Sequence, residues 1–380
     1  MRSNEESSEI LSAFIDEVCQ TSHLRVEADL GDGFVRLRSD EAERRQAAQD
    51  IRSSEDIVIE MLRNSRDAEC RTIYLATTKA SSKRTIVVID DGVGIPETHQ
   101  ELIFEPRVTS KLDTIHMDKW GVHGRGMALY SISVNSERAS VASSAPGLGA
   151  AIAVQTDTDI LKEKVDQSTF PLVVLAEKGR AHIKGPHNIN RTAVEFALEH
   201  RRTTEVFLGS PAEIAATMYA NSLASHPRAR YEERPNLEEV PLIERLRFAR
   251  NDHEFAALCA NLGLEMSSRT ARRIMDGQIC PLLSLTDLVE HMVLAQAGAN
   301  QTGANNADEQ AKDKSCTSSL KHSARSPKIC QSDMASVERA VRDSFSGLAE
   351  AYYLVPDVPI ETKVVNGSLR ISIPLVNLDE

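Results

Sequence analysis

No stretch of this 380-residue chain approaches the run of about eighteen apolar residues that a membrane-spanning helix requires. The N-terminus, MRSNEESSEILSAF, is acidic and polar where a secretory leader would be basic and then apolar. These two absences argue against a membrane partner and make a cytoplasmic location the expectation. The six cysteines (Cys19, Cys70, Cys259, Cys280, Cys316 and Cys330) include no Cys-x-x-Cys pair, and no histidine cluster stands at metal-ligand spacing. Reduced thiols and no structural zinc are therefore expected. Positive charge is also short: the formal net charge is -12. Bulk attraction to nucleic acid or to an anionic membrane is thereby disfavoured, and any such partner needs a local patch.

What is present reads as an ordinary globular chain, 41% hydrophobic and 26% charged, long enough for two or three domains. Residues 9–22 look helical, and LRVEADLGDGFVRLRS alternates around a Gly-Asp-Gly turn as a hairpin would, so 1–50 reads as an N-terminal extension. The strand candidates RTIYLATT and KRTIVVID follow, separated by the turn KASS. FEPRVTSKLDTIHMDKW has little periodicity and reads as a long loop, GVHGRGMALYSISVNS enters a helix, and ASVASS, AAIAVQT and RTAVEFALEH read as further strands. From 206 to 296 the pattern is helical with a break at Pro281, the look of a separate module. Residues 297–334 have the composition of a disordered linker, and 335–380 read as a helix and a hairpin with an Asn-Gly turn.

The stretch IVIEMLRNSRDAE places Glu60, Asn64 and Asp67 on one narrow stripe of a helix, opposite Val58, Met61 and Leu62. A solvated face and a ligand site both produce such a stripe. In VVIDDGVGIP, Asp90 ends an apolar strand beside Gly92 and Gly94. A carboxylate so placed can accept a hydrogen bond from an exocyclic amino group such as that of adenine, and DDG is equally a good tight turn. A second cluster, GVHGRGMALYSI, puts Gly121, Gly124 and Gly126 ahead of a helix, where backbone N–H groups can cradle phosphate. It lacks the Gly-Lys-Ser/Thr ending of a P-loop.

Taken in order, Glu-x-x-x-Asn-x-x-Asp-Ala, strand-Asp-x-Gly-x-Gly and Gly-x-x-Gly-x-Gly-helix resemble the GHKL superfamily of gyrase B, the large heat-shock chaperone, histidine kinases and MutL-type proteins. The resemblance covers about residues 50–200. It implies an α/β fold of Bergerat type over 51–205, a two-layer sandwich with a mixed sheet covered by helices on one face. The helical module and a short α+β C-terminal unit would follow. It implies ATP and Mg²⁺ as ligands, Glu60 as the general base, Asn64 as the metal ligand, and Asp67, Asp90, Gly92 and Gly94 around the base. Gly121, Gly124, Arg125 and Gly126 would hold the phosphates beneath a lid, and Thr192 would be the strand threonine supporting the adenine contact.

The first 55 residues contain only His23 as a candidate phosphoacceptor, in a turn-like setting, which disfavours a histidine kinase. RVTSKLD resembles the TSK loop of MutL-type proteins and would place Lys111 near the phosphates. LGLEMSSRTARRIMDG with LLSLTDLVEHM is similar to the helix-two-turn-helix domain of type IIB topoisomerase B subunits. Asp91 stands where the family usually has Asn and would add charge beside adenine. The expectation is an ATPase whose lid closure drives a conformational or homodimerisation change on DNA or on a protein partner. The alternative is a kinase or a non-hydrolysing ATP sensor. Arg269, Arg272 and Arg273 could contact DNA phosphates, but solvated charge is the favoured reading.

Overall fold

A computed structural model describes residues 26–39, 41–110, 116–118, 121–123, 126–175, 181–225 and 235–302, together with 341, 345, 355, 358, 361–365 and 368–374. The chain divides into two compact units, Met1–Asp308 and Glu309–Glu380. The helix expected over 9–22, and most of the expected linker and C-terminal helix, lie outside the described residues.

Unit one is built on a mixed five-stranded sheet. β3 (Thr72–Ala80) and β4 (Lys83–Asp90) form a hairpin whose turn holds Ser81 at φ 54°, as KASS anticipated. β9 (Ala150–Asp157) pairs with the free edge of β4, and β8 (Arg138–Ser144) pairs with β9, both antiparallel. β12 (Glu205–Gly209) lies parallel to β3 on the other side. β4 is apolar on both faces, Ile86 and Val88 pointing one way and Val87 and Ile89 the other. A strand buried on both sides reads as a continuous apolar run, which is what TIVVI shows.

One face carries α2 (Ser54–Asp67), α4 (Ile189–Glu199) and α8 (Leu285–Thr302). α2 begins at a capping box in which Ser53 accepts from Asp56 N and Asp56 accepts from Ser53 N. Ile57, Val58, Met61 and Leu62 then go fully into the core, each contributing roughly 1.5–3 kcal/mol. RTAVEFALEH is not a strand. Asn188 caps α4 by accepting from Arg191 N, and Ile189, Ala193, Val194, Phe196 and Ala197 recur at helical spacing on its buried side.

The second face is covered as well, by α5 (Pro211–Ser225), the 3-10 turns of Leu242–Phe248, α6 (Asp252–Asn261) and α7 (Ser268–Met275). Ile214, Met218, Leu246, Phe255 and Ile274 pack there on Tyr74, Val87, Ile89 and Phe207. Residues 206–296 therefore do not stand apart as a module. Their first strand is an edge of the central sheet, and their helices bury its far face. α8 continues to Thr302, past residue 297 where a linker was expected.

The N-terminal segment is likewise joined to the core. β1 (Val26–Gly31) and β2 (Phe34–Leu37) form the expected hairpin, and β2 adds β5 (Val108–Thr109) as a third strand. Arg107, which precedes β5, pairs with Glu43 of α1 (Glu41–Asp50). The stretch read as a long loop contains β5 and β6 (His116–Asp118), and β6 pairs with β7 (Gly121–His123) of the following stretch, ahead of α3 (Ala128–Val134). Strands β10 (Leu172–Leu175) and β11 (Ala181–Lys184) form a further pair. Among the described residues no helix is long and apolar enough to cross a membrane.

Unit two contains a hairpin of β13 (Glu361–Val365) and β14 (Ser368–Ser372), with Val365 opposite Ser368 as a two-residue connection requires. Phe345, Val355, Val358 and Ile373 form its apolar cluster.

Candidate active site

The polar stripe of α2 faces a cavity of about 160 Å³ between the helix, the end of β4 and β5. Glu60, Asn64 and Asp67 line it, with Asp90, Gly94 and Gly126. The stripe is therefore not a solvated face: Glu60 and Asp67 side chains are only 20% and 16% exposed.

One end of the cavity is organised around Asp90. Its carboxylate accepts from Ser65 Oγ at 2.7 Å and from Gly92 N at 3.0 Å, and the backbone of Ala150, opposite Asp90 in the sheet register, also bonds it. Burial pushes its pKa up from 3.8 to about 6; the bonds from Ser65, Gly92 and Ala150 pull the other way, and the Asp91 charge adds slightly to the rise. Desolvation outweighs the hydrogen bonds here, so the carboxylate is a poised acceptor. Gly94 borders this end with φ +72°, and a Cβ on it would come within 2.0 Å of the Ala145 carbonyl oxygen. Glycine is required there for the close passage of the 145–149 loop.

Two expectations at this end change. Asp91 adds no side chain to the cavity lining; its Oδ1 accepts from Arg71 N at 2.7 Å and Thr72 N at 2.9 Å, closing the start of β3. Thr192 sits in the first turn of α4, a helix where a strand was expected, and is not among the described lining residues. The hydroxyl that supports Asp90 comes from Ser65, which the stripe argument passed over although it is the residue after Asn64. A serine buried inside an amphipathic helix was the available signal. Asp67 is engaged by Arg66 at 2.7 and 2.9 Å.

At the other end the polar groups are held differently. Arg63 Nη1 donates to Glu60 Oε1, and the buried Nδ2 of Asn64 has no partner. Thr109, Ser110 and Gly126 complete the lining. Gly126, at φ +67°, packs against Val108 and Thr109, so the glycine cluster meets β5 directly. Gly121 belongs to β7. Lys111, Gly124 and Arg125 lie outside the described residues. Phe34 of the N-terminal hairpin forms part of the apolar wall with Ile103 and Val108 and stacks on His99 at 4.5 Å. Nothing local in the sequence ties Phe34 to the site; the β2–β5 pairing does.

Residues 51–174 match the family described as histidine kinase-, DNA gyrase B- and HSP90-like ATPase. A DNA mismatch repair protein MutL of Bacteroides fragilis (strain YCH46) is 35% identical over 86 residues. That similarity spans 22% of this chain and 14% of the MutL protein. A mixed sheet backed by α2 and α4, a buried aspartate at the end of its central strand and a family match over the same residues agree: residues 51–174 are similar to the GHKL ATPases in sequence and in architecture.

Proposed function

We propose that this domain binds ATP with Mg²⁺ and hydrolyses it. The observation that carries the reading is one cavity with an amino-group acceptor, Asp90, at one end and a carboxylate and an unpartnered amide, Glu60 and Asn64, at the other. Asp90 would accept from the exocyclic amino group of adenine. Glu60 would take a proton from the attacking water as its oxygen bonds to the terminal phosphorus, while the bridging P–O bond breaks and ADP leaves.

Asn64 fits a magnesium site. Its amide is buried, one end lacks a partner, and oxygen and nitrogen of an amide exchange by a flip. Mg²⁺ keeps several waters and takes few protein ligands beside phosphate oxygens. Among the described residues no group of three or more His, Cys, Asp or Glu could hold a metal ion, so the ion would rest on Asn64 and the phosphates. When bound, it would neutralise charge on the phosphates. Lys111, Gly121, Gly124, Arg125 and Gly126 are proposed as the phosphate-side lid, whose closure would drive a conformational or homodimerisation change. A protein or DNA partner, and a cytoplasmic setting, belong to the same proposal. Arg269, Arg272 and Arg273 on or beside α7 remain its candidate DNA contacts.

The ion pair on Glu60 favours a second reading, a sensor that binds ATP without turnover. Steady-state hydrolysis with Mg²⁺, wild type against Glu60→Ala, with and without double-stranded DNA, separates the two. Turnover lost in the variant with ATP binding retained supports the hydrolase. Binding without turnover in wild type supports the sensor.

A further inference from the structure

A second cleft, of about 870 Å³, opens where the last turn of α2, the start of β3 and the turn between α4 and β12 meet. Four arginines line it, Arg66, Arg71, Arg201 and Arg202, against the carboxylates of Glu69 and Glu205. A chain of net charge -12 needs such a local basic patch if it is to meet a polyanion. No charge run marks the patch in the sequence, because the parallel pairing of β12 with β3 assembles it from two distant segments.

The walls are fixed through the backbone. Arg71 N donates to Asp91 Oδ1 at 2.7 Å, and the Arg71 carbonyl accepts from Glu205 N at 2.7 Å. Thr203 N and Thr204 N both donate to the His200 carbonyl, at 2.9 and 3.0 Å, which tightens the turn that carries Arg201 and Arg202. Two of the arginines have local work. Arg66 bonds Asp67, and Arg201 Nη1 donates to the Leu198 carbonyl at 2.8 Å, where a cation also offsets the dipole of α4. Arg71 and Arg202 are exposed, and among the described residues neither guanidinium has an ion-pair or hydrogen-bond partner.

The lining restricts what the cleft can hold. Among the described lining residues there is no Phe, Tyr, Trp or large aliphatic side chain, and His200 is already packed on Phe196 with ring centroids 4.5 Å apart. Nothing there is offered for stacking on a base or burying an acyl chain or an apolar peptide side chain. What is offered is charge and planar N–H donors, the features by which arginine meets phosphate oxygens without reading sequence. A small ligand is normally buried over most of its surface, whereas exposed guanidiniums in an open cleft suit a continuous backbone laid across it.

We propose that this cleft docks the phosphodiester backbone of a nucleic acid, with Arg71 and Arg202 as its phosphate contacts. The inference rests on the DNA part of the proposed function and moves the contact from α7 to the edge of the sheet; it does not depend on hydrolysis. Arg66 and Arg201 raise the local potential from where they stand, and Glu69 and Glu205 lower it. Binding is of the sequence-independent kind, driven by counterion release and weakened by salt.

The test is fluorescence anisotropy of a labelled DNA duplex of mixed sequence with the full chain, without nucleotide, over a salt series. A labelled polyglutamate peptide is the competing anion. The proteins are wild type, Arg71→Gln/Arg202→Gln, Glu205→Gln, and Arg272→Gln/Arg273→Gln on α7, with Tm and ATP binding as checks on folding. The cleft variant is expected to weaken the duplex by about tenfold or more and to make the log–log salt slope shallower by about 1 to 2. Glu205→Gln should tighten the duplex by about twofold or more, as a like charge is removed. The α7 variant should change affinity by less than about twofold.

Duplex binding that the cleft variant keeps, with an unchanged salt slope, overturns the cleft and leaves the DNA reading standing; its loss in the α7 variant would then put the contact on α7. No duplex binding by wild type at low salt overturns the DNA reading itself, and the cleft with it. Polyglutamate bound as tightly as the duplex, with the same loss in the cleft variant, makes this a site for an acidic peptide and overturns the nucleic-acid assignment. Should the double variant fail to fold, Arg202→Gln and Arg202→Lys decide. A phosphate contact is weakened by Gln and largely kept by Lys, which retains the charge; duplex affinity equal to wild type in Arg202→Gln overturns it.

Discussion

The two ends of the cavity are finished to different degrees. Around Asp90, Ser65 and Gly92 supply hydrogen bonds, Gly94 seats the 145–149 loop, and Asp91 secures the neighbouring strand. Around Glu60 and Asn64, one group is held by a cation and one buried amide nitrogen has no partner. An unsatisfied buried polar group costs about 1–3 kcal/mol, which a ligand recovers by supplying the missing bond. On the proposed reading the first end would select the base, and at the second the Asn64 amide nitrogen would gain a partner with the ligand in place.

The sharpest way to break this contrast is Glu60→Ala. A general base contributes on the order of 100-fold or more to rate, so kcat should fall at least that far while ATP affinity is kept, read from hydrolysis rates beside nucleotide binding. Next is Gly94→Ala. With φ +72° and a carbonyl oxygen 2.0 Å from the added Cβ, the prepared end must distort, at about 3 kcal/mol or more, visible as a lowered Tm and lost ATP binding.

Asp90→Asn tests the acceptor. ATP affinity should fall about tenfold. In wild type the folded-state pKa of about 6 lies above the ordinary 3.8. The stability tied to Asp90 is therefore full below pH 3.8 and is lost as pH rises through about 6. Unfolding free energies of wild type and Asp90→Asn should shift relative to each other by on the order of 2 kcal/mol between pH 4 and 7.5, in favour of the variant at high pH. ATP binding by wild type should weaken below about pH 6, as the acceptor is protonated.

Ser65→Ala should have a smaller effect, a stability loss of about 1 kcal/mol. Because the Ser65 bond lowers the Asp90 pKa, removing it should move the pH midpoint of ATP binding upward. Asp91→Asn should do least: an amide oxygen can still accept from Arg71 N and Thr72 N, and ATP affinity should change by less than about twofold. A larger change would return Asp91 to the base pocket.

Much of the prepared end was legible because it is local. Asp90, Gly92 and Gly94 share one turn, and Glu60, Asn64 and Asp67 share one helix face whose 3.6-residue period is written in the chain. Thr192 was misplaced because AVEFAL suits a strand or a helix equally over a short window, and the cap at Asn188 settles it. Ser65, Arg63 and Phe34 were passed over since their roles depend on what lies opposite: β4, the cavity and β5 respectively.

The chain alone determined the order of helix, strand and glycine turn, and hence the resemblance to the GHKL superfamily over residues 51–174, because those signals are set by residues within a turn or two of one another. Only the tertiary structure decided that 206–296 closes the sheet's second face, that the N-terminal hairpin walls the cavity, and that a serine rather than a threonine steadies Asp90. Those outcomes follow from pairing and packing between segments distant in sequence, where any buried apolar face or hydroxyl of the right size can meet the need, and the pattern of residues does not say which one will.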